Sequence, residues 1–376
     1  MTVRATAFVA LVALGSIVIG AGAQAVTVNA VAVQVGGPAI ANAVARRVSP
    51  PPGNPGGVPL PAEALPVDTS NPDVVVGSGT PASCTSQAVV DAVAHGGIIT
   101  FDCGPLPVTI EMTATAKVVN TSPVVVIDGG RKVTLSGGDV RRILYMNTCD
   151  KAQVWTTSHC DNQDSPQLTI QGMNFTHGNS TGDLTEGGGG GAVLVRGGRV
   201  KVIDSVFTAN RCDSTGPDLG GGALRVLSQS QGLPVIVATS TFGGSPSDGN
   251  VCSNGAAISS IGVSWQIFNC LFANNAAIGS GANPARGGTP GGGSGGAIYL
   301  DGNRFTLDLD GSIVRDNTAN EGGGAIFFVS NDRTGELRIA SSVLEHNPSL
   351  GFGTAGFPGI YFLGRGIPQV TDSTIT

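Results

Sequence analysis

A short phrase recurs along this chain every 28–42 residues, and it constrains the fold more than any other feature. It opens with Gly-Gly-Ala-aliphatic and closes with small-x-large apolar-x-x-Asn, the second part beginning 15–19 positions after the first. The opening stands at Gly190-Gly191-Ala192-Val193, Gly221-Gly222-Ala223-Leu224, Gly255-Ala256-Ala257-Ile258, Gly295-Gly296-Ala297-Ile298 and Gly323-Gly324-Ala325-Ile326. The closing part spans 205–210, 270–275, 312–317 and 342–347. A repeated signature of this kind means one structural unit stacked on copies of itself, each covering the apolar face of the next.

Aligning the repeats on the small residue of the closing part produces three apolar columns. Three positions before it stand Ile170, Val202, Val237, Ile267, Leu309, Ile339 and Val370. Five before it stand Leu168, Val200, Val235, Trp265, Leu307, Leu337 and Pro368, and two after it Phe175, Phe207, Phe242, Phe272, Val314, Leu344 and Ile375. The period-2 spacing predicts a strand with one buried face. Recurrence once per repeat predicts a parallel solenoid, with like residues stacked at the ~4.8 Å spacing of paired strands. The Asn column, Asn210, Asn275, Asn317 and Asn347, then has a structural purpose, since a stacked amide bonds the next amide and the turn backbone. Ser245 departs from that column beside an insertion, so a local break is expected there. The sequence stops at Thr376 inside a repeat, which suggests a truncated or otherwise covered end.

Residues 1–25 read as a secretory signal: Arg4, an apolar stretch from Ala5 to Gly20, and the small-residue site Ala23-Gln24-Ala25. No transmembrane span is expected once it is removed, and the destination is the medium or the cell surface. Residues 26–72 combine an unassigned segment, 26–47, with a run of eight prolines between Pro50 and Pro72 that favours extended geometry and reads as a spacer. The folded domain is expected over 73–376. Ser83 to His95 reads as a helix capped by Thr85 or Ser86 and stopped by Gly96-Gly97, suited to covering the open end of a strand stack.

Charged residues make up only 12% of the 376, yet 41% are apolar, enough for a core that disordered chains lack. The net charge of −6 argues against a nucleic-acid partner. Seven cysteines suit an oxidising compartment. Cys84 and Cys103, Cys149 and Cys160, and Cys212 and Cys252 are plausible pairs, with connectivity left open. Cys270 takes the inward position held elsewhere by Ser205, Ser240, Ser312 and Ser342, so it reads as a buried small residue.

These repeats resemble the right-handed parallel β-helix superfamily of pectate lyases and related pectin-active proteins. The Gly-Gly-Ala-Ile and Phe-x-x-Asn elements are similar to repeats of chlamydial polymorphic outer-membrane proteins. The resemblance covers roughly Ser83 to Thr376 and implies an all-β fold: a right-handed, single-stranded parallel β-helix with a short N-terminal capping helix. It implies no catalytic residues, because the Trp-x-Asp-His and Arg-x-Pro-x-x-Arg segments of pectate lyases are absent. So are the Asn-Thr-Asp, Asp-Asp, Gly-His-Gly and Arg-Ile-Lys segments of polygalacturonases.

Chemistry is therefore sought on outward positions of the same strands, where Asp308 and Arg338 fall on successive coils, Asp310 lies two residues along, and Glu336 falls beside Thr306. Read as a sugar-acid groove, Arg338 or Arg304 takes a proton or steadies substrate charge, and Asp308, Asp310 and Glu336 bind substrate. Asp308 and Asp310 could hold a Ca²⁺ bridging an acidic polymer. Read blandly, these residues are an exposed cross-strand ion pair. Asp204, Ser205 and His177 lie on adjacent coils, but Ser205 belongs to the inward column and reads as core. The leading expectation is a secreted, monomeric β-helix that binds extracellular polysaccharide, with lyase-type cleavage as its catalytic version. The competing expectation is a non-catalytic adhesin or spacer.

Overall fold

Strands recur in the order that the repeated phrase demands. A computed structural model describes residues 52–376; the expected signal segment and residues 26–47 lie outside the described residues. Each phrase opens into a strand of an eight-stranded sheet, such as Ile298–Gly302, which pairs in parallel with Ile258–Ile261 and Ile326–Ser330. The chain then enters a seventeen-stranded sheet, as at Thr306–Asp310, and turns a corner into a second strand of it, Ile313–Arg315. Short strands such as Thr318–Ala319 form a three-stranded sheet before the next phrase begins. The protein is thus all-β, built of long stacked parallel sheets.

The phrase has a backbone explanation. Its first glycine sits at positive φ, +69° at Gly295 and +67° at Gly323, a region L side chains rarely adopt. Its second glycine lies against the next coil: a Cβ on Gly296 would stand 2.1 Å from the Gly324 carbonyl oxygen. The corner of the long sheet is likewise a single left-handed residue: Asp204, Thr239, Asn269, Gly311, Ser341 and Asp372 in successive coils.

All three columns stack in the expected register, Val237 on Ile267, Leu307 on Leu337, and Phe242 on Phe272. The rings of Phe175, Phe207, Phe242 and Phe272 lie 4.7–5.0 Å apart and nearly parallel, wholly buried. Beside them runs a buried amide ladder. The Asn275 side-chain N–H donates to Asn317 Oδ1 at 2.8 Å and to the Phe242 carbonyl at 3.0 Å; Asn317 repeats this with Asn347 and Phe272. The break expected at Ser245 does not occur. The inserted loop returns the chain to Asn250, which receives Asn210 at 2.9 Å and donates to Asn275 at 2.8 Å. A hydroxyl ladder runs at the corner, where the backbone N–H groups of Ser205, Cys270, Ser312 and Ser342 donate to Ser240, Ser312, Ser342 and Ser373.

Cys270 is fully buried, and burial pushes its thiol up to about 12. The other six cysteines form the bonds 84–103, 149–160 and 212–252. Helix α1, Ser86–His95, is capped by Thr85 Oγ1 accepting from Ala88 N–H, and Val89, Ala92 and Val93 carry its stripe into the core. Among the described residues no helix is long and apolar enough to cross a membrane.

The proline-rich segment differs from the spacer expectation. Residues 54–69 lie against the outer face of the long sheet, with Ala64 wholly buried beside Ile203, Ile236 and Ala238. Composition favours extended geometry, here interrupted by a 3-10 turn at Ala62–Ala64; whether such a run is solvated or seated depends on the surface beside it.

Asn317→Ala should cost about 3 kcal/mol, because it strips partners from buried groups on both neighbouring coils. Cys270→Ser, which completes the hydroxyl ladder, should fall within about 1 kcal/mol of the parent. Urea denaturation of both variants checks the pair; an unchanged midpoint for Asn317→Ala would contradict the ladder's role.

Candidate functional site

Outward side chains of the long sheet form columns of their own. Lys201, Ile236, Gln266, Asp308, Arg338 and Gln369 follow one another on paired strands. The segment 54–69 covers the neighbouring outward positions as far as Asn269 and Gly311. Beyond its end lie the expected site residues, which the structure largely brings together.

Arg338 Nη1 donates to Asp308 Oδ1 at 2.9 Å, and its Nη2 pairs with Glu336. Arg365, absent from the sequence reading, donates to the other Glu336 oxygen at 3.1 Å. It follows the last strand of the eight-stranded sheet, Ile360–Leu363, whose Gly359-Ile360 opening is a degenerate form of the phrase. Arg304 stands apart, exposed in the turn before Thr306, with no ion pair within 4 Å among the described residues. The hydrogen bond that Arg338 donates to Asp308 raises Arg338 above its ordinary value, the largest of the influences on it. That guanidinium holds its proton; it is suited to gripping anions and poorly suited to accepting a proton from substrate.

Asp310 is half-buried, and its Oδ1 has no hydrogen-bond partner among the described residues. Burial, then the charge of Asp308, raises its carboxyl, opposed by a bond from Gly311 N–H. Ca²⁺ takes 6–8 oxygen ligands. Asp308 is engaged by Arg338, and no third acidic, histidine or cysteine ligand converges with it and Asp310 among the described residues. The two carboxylates would supply only part of such a shell. The one such three-residue group among the described residues, Cys149, Cys160 and Asp161, has its sulfurs joined in a disulfide.

Two hollows, of about 310 and 490 Å³, open beside Asp128 and beside Phe352; neither is lined by Asp308, Asp310, Glu336 or Arg338. The site is an open strip. Nor is there a serine triad: Ser205 is wholly buried, His177 pairs with Asp139 at 3.0 Å, and Asp204 pairs with Arg131.

No protein-family model, curated protein or solved structure matches the chain.

Sequence reasoning also missed the outer face of the eight-stranded sheet. There Tyr299, Phe327 and Tyr361 stack on successive coils, 4.9 and 5.2 Å apart. The signal was the aromatic residue that follows the isoleucine in these phrases. Asn283 closes this face, its amide donating to Asp218 at 2.6 Å, Tyr299 Oη at 2.9 Å and Asp301 at 2.9 Å. Burial and the nearby Asp218 raise the Asp301 carboxyl, while bonds from Gly302, Asn331 and Tyr299 oppose the rise.

A raised carboxyl means that the folded state holds its proton more tightly than the unfolded chain does. The associated stability is complete below the unfolded value of about 4 and is lost as pH climbs through the folded one. Asp310→Asn should therefore raise the melting temperature at pH 7 and leave it nearly unchanged at pH 3. A lowered melting temperature at pH 7 would show that the ionised carboxylate stabilises the fold.

Proposed function

We propose that this protein is a secreted right-handed parallel β-helix that binds an acidic extracellular polysaccharide, in the medium or at the cell surface, without cleaving it. The observation that carries the reading is the linear, shallow strip of Gln266, Asp308, Arg338, Gln369, Glu336 and Arg365 running across successive coils. An extended polymer meets such a strip along its length, whereas a small molecule needs a concave pocket. Arg338 and Arg365 offer planar guanidinium forks to uronate carboxylates, and Glu336, which pairs with both, orients them. Arg304, exposed in the turn before Thr306, adds a cation with no ion pair among the described residues.

The lyase reading asks Arg338 to accept a proton, and its carboxylate partners oppose that. A non-catalytic adhesin or presenting platform is the second reading, favoured by the exposed cross-strand pairing of Arg338 with Asp308 and Glu336. The seated segment 54–69 weakens the spacer version, because that stretch adds no reach.

Titration of the full chain with polygalacturonate should show saturable binding that persists in EDTA. The double variant Arg338→Ala, Arg365→Ala should weaken it about tenfold or more, given about 1.5–3 kcal/mol per charged hydrogen bond. Ultraviolet absorbance should stay flat. A rising absorbance from unsaturated uronate, lost in Arg338→Ala, would establish the lyase instead. Absence of binding to any acidic glycan, with adhesion to cells retained, would establish the platform.

A further inference from the structure

Residues 54–69 are held in the manner of a bound peptide. Two primary amides on the outer face of the long sheet each engage both backbone groups of one valine. Asn269 Oδ1 accepts from Val58 N–H at 2.7 Å while its Nδ2 donates to the Val58 carbonyl at 2.7 Å. Gln171 Oε1 accepts from Val67 N–H at 2.9 Å while its Nε2 donates to the Val67 carbonyl at 3.0 Å. Between these clamps Ala64 and Leu60 fill an apolar depression made by Ile203, Ile236, Ala238 and Phe268. Lys201 Nζ donates to the Leu65 carbonyl at 3.2 Å, and Thr69 donates to Asp128 at 2.7 Å.

Each feature is directed at a chain that runs extended on either side of one short turn. Outside the turns at 54–57 and 61–65 the segment makes no internal backbone hydrogen bonds, so the N–H and C=O groups of Val58 and Val67 are free for a receptor. Prolines 55, 59, 61 and 66 stiffen the stretches around the 3-10 turn Ala62–Ala64, which carries the buried Ala64, and the clamped residues Val58 and Val67 each adjoin one of them. Steric selection is added at one point: a Cβ on Gly57 would lie 2.0 Å from Asn269 Oδ1. Asn269 can reach outward because it occupies the left-handed corner of its coil, with φ +53°. The connection to the coils is slight, since Ser70, Asn71 and Pro72 are all exposed and the side-chain bonds of Ser70 and Asn71 are local.

We propose that the outer face of the long sheet, from Asp128 to Gly311, is a groove for a proline-punctuated peptide that runs extended on either side of one short turn. Residues 54–69 fill it in cis as a ligand that the same segment of a second copy can replace. Recognition is mostly of backbone and one small apolar side chain, so the covalent link to Asp73 is not needed for binding. Exchange between copies would join two molecules through their segments without altering either coil stack. This inference stands independently of the polysaccharide reading.

The test uses the full chain with a site-specific protease sequence inserted between Asn71 and Pro72, cleaved after folding. Fluorescent peptide 53–70 is then added in excess and followed by anisotropy. The expected result is saturable uptake with release of the cleaved segment, at least tenfold weaker in Gln171→Ala or Asn269→Ala. A peptide carrying Gly57→Val, which leaves the protein itself untouched, should also bind at least tenfold more weakly, and a scrambled peptide should not bind. Failure to exchange, equal uptake of the scrambled peptide, or loss of the β-sheet circular dichroism on release would each overturn the proposal, the last by making the segment an integral part of the fold.

Discussion

Vertical registration of the asparagine side chains is the constraint from which the other regularities follow. Each amide in the ladder from Asn210 to Asn317 satisfies a backbone carbonyl of the coil before it and the side chain of the coil after it, and Asn347 ends the ladder on the Val314 and Glu345 carbonyls. A coil slipped by one residue would leave buried donors without partners on two levels, and such groups are costly in a dry interior. The ladder therefore locks the corner after the phenylalanine stack, and the serine ladder locks the corner before it. With both ends pinned, the strand between has one register, and its outward residues fall into straight columns.

Those columns explain why part of the candidate site was legible in the sequence. Counting from the small residue places Asp308 beside Arg338 and Glu336 beside Thr306, and the strands pair in that way. Arg365 was not legible, because the coil holding Ile360–Leu363 opens with one glycine in place of the full phrase. The protonation of Arg338 and the partnerless oxygen of Asp310 depend on distances that register alone does not supply. The calcium expectation rested on acidic residue type, and the geometry engages one of its two carboxylates with arginine.

The fold was legible where a side chain recurs at a fixed offset and obscure where an insertion shifts it. Ser245 marked an expected break, yet Asn250 restores the ladder five residues later. Cys212 and Cys252 carry the same message, each standing two residues beyond a ladder asparagine and bonded across adjacent coils. The segment 52–72 was obscure for a different reason. Its prolines favour extended stretches around one turn, and only the apolar outward residues Ile203, Ile236 and Ala238, spread over two repeats, indicate that something must cover them. One outer face is thus divided in two, an apolar length occupied by the chain's own backbone and a charged length left open to solvent.

Exchange of the asparagine side-chain amide protons tests the account most directly. In protein labelled with ¹⁵N at asparagine, the Nδ2 protons of Asn250, Asn275 and Asn317 should exchange as slowly as the most protected backbone amides, through global unfolding alone. Exchange of these protons while the neighbouring strands remain protected would contradict the claim that the stacked amides hold the coils in register.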